Sequence, residues 1–193
     1  MKILAIDSVS DRLVIAACNK DKVASRFSEG NKRHNGAILP LVDEVLDELA
    51  LTVKDLEGVA CVVGAGSFTG IRIGIATAEA LATACNLKTV PITSFEEIAY
   101  DCDPKCKVVA IDCGHGEYYS AKFDGNWQNI TEFCIYNDEQ LKSMGDCVVY
   151  KTQPSDPIKL LEIAKWKMQN GKYDKLVPMY MKKSQAEREK DGN

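Results

Sequence analysis

The sequence predicts an α/β fold made of two similar halves, the second reduced, and three observations carry that expectation. Short apolar runs of strand character alternate with segments whose apolar residues recur at helical spacing. One such run leads through a glycine-rich turn straight into a helix, the usual layout of an α/β crossover. Finally, Leu4-Ala5-Ile6-Asp7 is echoed by Val109-Ala110-Ile111-Asp112, and each Asp is followed by a turn and a second strand.

The elements follow in order. Ile3 to Asp7, Leu13 to Cys18 and Val23 to Phe27 are three short strands joined by polar turns. The period then changes: Ile38, Val42, Val45 and Leu49 share one helical face, which Leu39, Leu41 and Leu46 widen. Pro40 is expected in that helix's first turn, where its missing N–H costs little. Val59 to Val63 is a buried strand, and a second helix is expected from about Thr69, its N-cap, to Cys85. Lys88 to Ile92 is a strand, and Ser94 caps a short helix to Tyr100. Asp101-Cys102-Asp103-Pro104-Lys105 is the expected boundary, giving lobes over 1–103 and 104–193. In the second lobe the strands are Val109 to Asp112, Tyr118 to Phe123 and Val148 to Tyr150. A helix from Pro157 to Asn170 and a charged tail from Lys182 to Asn193 complete it.

Composition narrows the function. With 193 residues, 46% hydrophobic and 27% charged, the chain has ample core for one domain or two small lobes. A net charge of −4 provides no broad basic field, so autonomous nucleic-acid binding is not expected. No apolar run reaches the roughly 18 residues that a membrane span needs. Asp7 and Asp11 interrupt the first apolar stretch too early for a signal peptide. The eight cysteines form no CxxC pair and mostly sit in apolar runs, as Cys61 does, so they read as reduced core residues of a cytoplasmic protein. No cofactor and no metal are expected.

The chemistry-bearing motifs are incomplete. Gly64-Ala65-Gly66-Ser67-Phe68-Thr69-Gly70 lies between a strand and a helix but departs from G-x-G-x-x-G, because Thr69 stands at the third glycine. No G-K-[ST] exists for a P-loop, and Ser67 is out of register for G-x-S-x-G, which disfavours a peptidase. A tight turn seating a helix on its sheet is the simpler reading. Asp7 and Asp112, with Ser8, could face a nucleotide and hold Mg²⁺ through water, which would make the chain an ATPase or phosphotransferase. The alternative is that each Asp satisfies the N–H groups of its own turn. The helix after Thr69 is built of small residues, Ala76, Ala78, Ala80, Ala82 and Ala84 beside Gly70 and Gly74. Small residues let a second helix approach closely. With the over-wide face of the preceding helix, this points to a helical interface through Ile38, Leu41, Val42, Val45, Ile75, Ala78 and Ala82.

The stretch from Gly64 to Gly74, Gly-Ala-Gly-Ser-Phe-Thr-Gly-Ile-Arg-Ile-Gly, closely resembles the G-P-G-S-F-T-G-L-R-I-G signature of the TsaB (YeaZ) family. Within it Gly64, Gly66, Ser67, Thr69, Gly70 and Arg72 match. Further matches, in the right order, are Leu4-Ala5-Ile6-Asp7-Ser8, His34 through Leu39-Pro40, Asp112 with Glu117-Tyr118-Tyr119, and Pro178-x-Tyr180-Met181-Lys182. Ala65 departs from the family's proline, and the chain is shorter than is typical, with the difference expected between Asp124 and Pro157. The resemblance implies the actin-like (ASKHA, ribonuclease H-like) fold. It implies a non-catalytic subunit of the machinery that makes threonylcarbamoyl-adenosine on tRNA, paired with the catalytic paralogue TsaD and joined by the ATPase TsaE. The excess apolar surface of the two helices predicts a homodimer through them when the partner is absent, and contact with tRNA is expected only through the complex. The paralogue holds a metal through two histidines four apart on its first long helix. Here His34 has Ile38 at that spacing, so no metal is expected there.

Overall fold

The computed structural model describes residues 1–10, 12–29, 34–101, 108–124, 131–144, 148–150 and 155–181. The chain divides into two compact units, Met1–Thr93 together with Pro154–Asn193, and Ser94–Gln153.

The first unit opens with β1 (Lys2–Asp7), β2 (Arg12–Asn19) and β3 (Lys22–Glu29), an antiparallel meander in which Ile3 pairs Cys18 and Val14 pairs Phe27. Then come α1 (His34–Glu48), a 3-10 turn at Val53–Asp55, β4 (Gly58–Val62), α2 (Phe68–Cys85) and β5 (Lys88–Ile92). β4 joins β1 in parallel and β5 joins β4 in parallel, so the sheet order is β3-β2-β1-β4-β5. Successive strand side chains point to opposite faces, and Ile3, Leu4, Ala5 and Ile6 are all fully buried. Both faces are therefore covered. α1 packs on β2 and β3, α2 on β4, and α5 (Pro157–Gln169) on β1, β2 and β5.

In the second unit α3 (Ser94–Asp101) packs on β6 (Val108–Asp112). β7 (Glu117–Lys122), β8 (Cys134–Asn137), α4 (Asp138–Ser143) and β9 (Val148–Tyr150) follow. The sheet order is β8-β7-β6-β9, antiparallel except for the parallel β6–β9 pair. Buried Phe95 stacks on Phe123, centroids 6.4 Å apart, and packs on Phe133. Third, second, first, fourth is the strand order of both sheets, and in each the first strand ends in the Asp of the echoed motif. The actin-like, ribonuclease H-like duplication is therefore present, with the second copy one strand short among the described residues.

Three expectations need correction. The division into 1–103 and 104–193 differs from the units, because α5 returns to the first sheet; the segment Cys102–Lys105 and the tail from Lys182 lie outside the described residues. α1 begins at His34, so Pro40 lies well inside it and not in its first turn. Pro40 is exposed, which leaves the Gly36 carbonyl that it cannot serve on the hydrated side. The cap of α2 is Ser67 and not Thr69: its hydroxyl accepts from the Gly70 N–H at 3.2 Å.

Candidate functional site

The glycine-rich turn and the end of β1 form one structure. Asp7 is fully buried, and its carboxylate accepts from the Val9 N–H (2.8 Å), from the Ser10 hydroxyl (2.6 Å) and, in a very short bond, from the Ser155 hydroxyl just ahead of α5. Ser8, also buried, donates its hydroxyl to the Gly70 carbonyl at 2.8 Å, and the Ser67 N–H donates to the Val9 carbonyl at 3.0 Å. The β1–β2 turn thus lies on the start of α2, leaving no space for side chains between them. A Cβ on Gly70 would overlap the Ser8 carbonyl oxygen, one on Gly74 would overlap the Ser8 hydroxyl, and one on Gly66 would come within 2.6 Å of the Val9 oxygen. Close approach of the chain to itself accounts for these glycines, as a tight turn seating a helix requires.

The C-terminal motif completes the cluster. The Met179 N–H donates to the Val63 carbonyl at 2.8 Å, where β4 ends. Gly64 has φ +128°, and a Cβ there would stand 2.5 Å from the Met179 oxygen; the Gly64–Ala65 peptide is cis. The Tyr180 ring stacks on Phe68 (centroids 4.8 Å, planes 7° apart), and Arg72 Nε donates to its hydroxyl at 3.0 Å. Two stretches picked out separately in the sequence are therefore one contact. The missed member is Ser155, because nothing in a serine ahead of a helix signals a bond to a residue 148 positions away. Asp112, by contrast, is exposed in the second unit, and its carboxylate accepts from the Gly114 N–H at 2.6 Å in a turn where Gly114, His115 and Gly116 all have positive φ.

The expected interface residues lie elsewhere than foreseen. Ile38, Val42, Val45, Ile75, Ala78 and Ala82 are all buried within their own unit, and only Leu41 is half-exposed. Their faces turn to the sheet. The outward surface of α1 holds Leu39, 55% exposed, with Pro40, Asp43 and Asp47; that of α2 holds Arg72, Ala76, Ala80, Thr83 and Ala84. Arg26 of β3 pairs Glu44 and Glu48 on α1 at 2.9 and 2.8 Å, and these bonds, that of Glu48 foremost, raise its pKa.

Among the described residues no group of three or more His, Cys, Asp and Glu side chains could hold a metal, and no helix is long and apolar enough to cross a membrane. Burial, aided by Asp7 and Glu79, pushes the Cys61 thiol far up. The second unit has a pocket of about 210 Å³ lined by Ser120, Lys122, Glu132, Cys134 and Tyr136 among others. Lys122, Glu132 and Cys134 there are exposed, and the Ser120 hydroxyl already donates to the Val109 carbonyl.

The model of the family described as TsaD, tRNA N6-adenosine threonylcarbamoyltransferase, matches residues 27–187. The chain is 32% identical over 134 residues to the tRNA threonylcarbamoyladenosine biosynthesis protein TsaB of Escherichia coli (strain K12), covering 67% of this chain and 58% of that protein. It is 33% identical over 125 residues to TsaB of Buchnera aphidicola subsp. Schizaphis graminum, covering 63% and 60%. The chain thus spans under two thirds of the length of these curated relatives. A crystal structure from Pseudomonas aeruginosa, of a protein with similarity to peptidase YeaZ, superposes with TM-score 0.77 at 20% identity, covering 94% of this chain and 99% of that one. At that identity the likeness shows the fold.

Proposed function

The chain belongs to the threonylcarbamoyltransferase family and, within it, to the TsaB (YeaZ) group, and on that footing we propose that it is the non-catalytic partner subunit of the tRNA threonylcarbamoyladenosine machinery. The observation that carries this reading is the closed β1–β2 turn. In an actin-like lobe this turn would meet the phosphates of a nucleotide. Here Asp7 spends its carboxylate on Val9, Ser10 and Ser155, and the glycines of the opposite turn are filled by Ser8 and Val9. Asp7 accepts from three donors and is fully buried, so no face of its carboxylate is open to a hydrated Mg²⁺. This weighs against an ATPase or phosphotransferase working through Asp7 and Asp112.

The subunit binds the catalytic paralogue TsaD in the cytoplasm, is joined there by the ATPase TsaE, and reaches tRNA only through that complex. Its partner face is the outward side of α1 and α2. Leu39 and Pro40 supply apolar area, and Ala76, Ala80 and Ala84, four residues apart, form a low row along which a second helix can lie closely. Alone, the chain uses the same face for a copy of itself. Calorimetric titration of the isolated chain with Mg-ATP tests the non-catalytic reading: no heat of binding is expected up to millimolar nucleotide. Saturable micromolar binding that is lost in Asp7→Asn would overturn it.

A further inference from the structure

The C-terminal segment after α5 runs as a strap over the first unit. The Asp174 N–H donates to the Thr89 carbonyl at 3.0 Å, and the Thr89 hydroxyl returns a bond to the Asp174 carbonyl at 2.7 Å. Lys88 Nζ lies 4.1 Å from the centre of the Tyr173 ring, and Leu176 is buried. The strap then crosses the end of β4 through the Met179–Val63 bond and reaches α2, where Tyr180 meets Phe68 and Arg72.

The first turns of α2 contain Gly70 and Gly74, and glycine is a poor helix former because it has the most backbone freedom to lose. No acidic residue lies in that first turn to favour the helix dipole. Beyond the Ser67 cap, order in this segment depends on tertiary contact. The β1–β2 turn braces one side of it, through Gly70 and Gly74. A further support is Tyr180, which grips Phe68 at the first helical position and Arg72 one turn later, at the head of the outward row Arg72, Ala76, Ala80, Ala84.

We propose that Tyr180 is a positioning residue for the partner face: it clamps the first two turns of α2 so that the outward row is already ordered when a partner arrives. The inference rests on the proposed partner-subunit reading. Preordering acts on affinity by removing a cost at binding, so its signature is a joint change in local order and in partner affinity, with little change in overall stability.

Hydrogen exchange by mass spectrometry on the full chain gives the first arm of the test. Tyr180→Ala, which removes both the stack and the hydroxyl, is expected to speed exchange of the Gly70–Ile73 amides about tenfold, with the amides of β1 and β2 unchanged. Tyr180→Phe keeps the stack and rescues most of the protection. The second arm is affinity for the catalytic paralogue by sedimentation velocity, expected to fall about tenfold for the Ala variant and under threefold for the Phe variant. Unchanged exchange in Tyr180→Ala overturns the clamp. Weaker partner binding with unchanged exchange overturns it as well, since Tyr180 would then be a direct contact. If the wild-type chain does not bind the paralogue, the functional reading fails, while the exchange arm still decides the clamp.

Discussion

Gly70→Ala is the sharpest perturbation of the closed turn. Gly70 lies in α2 with no positive φ, so the backbone itself accepts alanine and only space opposes it. The new Cβ would overlap the Ser8 carbonyl oxygen and come within 2.9 Å of its carbon and 3.2 Å of the Val9 Cα. These are backbone atoms of a turn held at both ends, so the turn must move as a body. That overpacking costs about 1–3 kcal/mol. The shift also strains the Ser8–Gly70 and Ser67–Val9 bonds, and one buried group left unsatisfied costs about 1–3 kcal/mol more. The better helix propensity of alanine returns about 1 kcal/mol. The net loss is about 1–5 kcal/mol, which in a chain of this size lowers Tm by roughly 2–20 °C. Urea and thermal denaturation followed by circular dichroism measure it. Gly36→Ala is the control: nothing lies within 4 Å of its new Cβ in α1, so it should gain up to about 1 kcal/mol. If Gly70→Ala is as stable as the wild type, the β1–β2 turn does not pack there and the account of the glycines is wrong.

Other outcomes follow from the same geometry. Asp7→Asn replaces an acceptor with a donor facing the Val9, Ser10 and Ser155 donors, and should cost about 1–3 kcal/mol in denaturant unfolding; a neutral result would mean the carboxylate is not so engaged. Ser155→Ala removes one of those donors and should lower stability by less, about 1 kcal/mol, so a larger loss than for Asp7→Asn would contradict the assignment. In the native chain iodoacetamide at pH 8 should label exposed Cys134 and spare Cys61, whose thiol is buried and raised, until the protein unfolds. Rapid native labelling of Cys61, read by peptide mapping, would show that β4 is not buried. Ala78→Arg places a charge at a fully buried site and should unfold the first unit, whereas Ala76→Arg on the outward row should leave circular dichroism unchanged. The reverse pattern would restore the interface first read from the sequence.

The sheets were legible because buried strands such as Ile3–Asp7 and Val59–Val62 are unbroken apolar runs, and the repeated Ala-Ile-Asp marked the first strand of each copy. The start of α1 was not, since His34-Asn35-Gly36 carries no capping signal and Pro40 usually marks a first turn. β8 and α4 carry no clear sequence signal either: Cys134–Asn137 is mostly exposed and shows no alternation, and the helix after it is held by the reciprocal Asn137–Gln140 cap. In the candidate site, glycine spacing points to a tight turn, but only the fold shows that Ser8 and Val9 fill the space at Gly66, Gly70 and Gly74. Both Asp7 and Asp112 end a first strand, yet one is buried and one exposed, because Ser155 closes over Asp7. Alanines at every second position of α2 carry no helical period, so sequence could not tell that Ala78 and Ala82 face the sheet while Ala76 and Ala80 face outward.

Partner binding through the outward face is tested most directly by sedimentation velocity of the chain mixed with the threonylcarbamoyltransferase paralogue from the same cell, wild type against Ala80→Arg. The exposed Ala80 can take the larger side chain without disturbing its own unit, but in a buried helical contact it would bring an unpaired charge costing several kcal/mol, roughly enough to dissociate a micromolar complex. The account predicts a joint boundary for the wild-type mixture and two independent boundaries for Ala80→Arg, with circular dichroism the same for both chains. A wild-type mixture that sediments as two separate species, or an Ala80→Arg chain that joins the paralogue as tightly as the wild type, would contradict it.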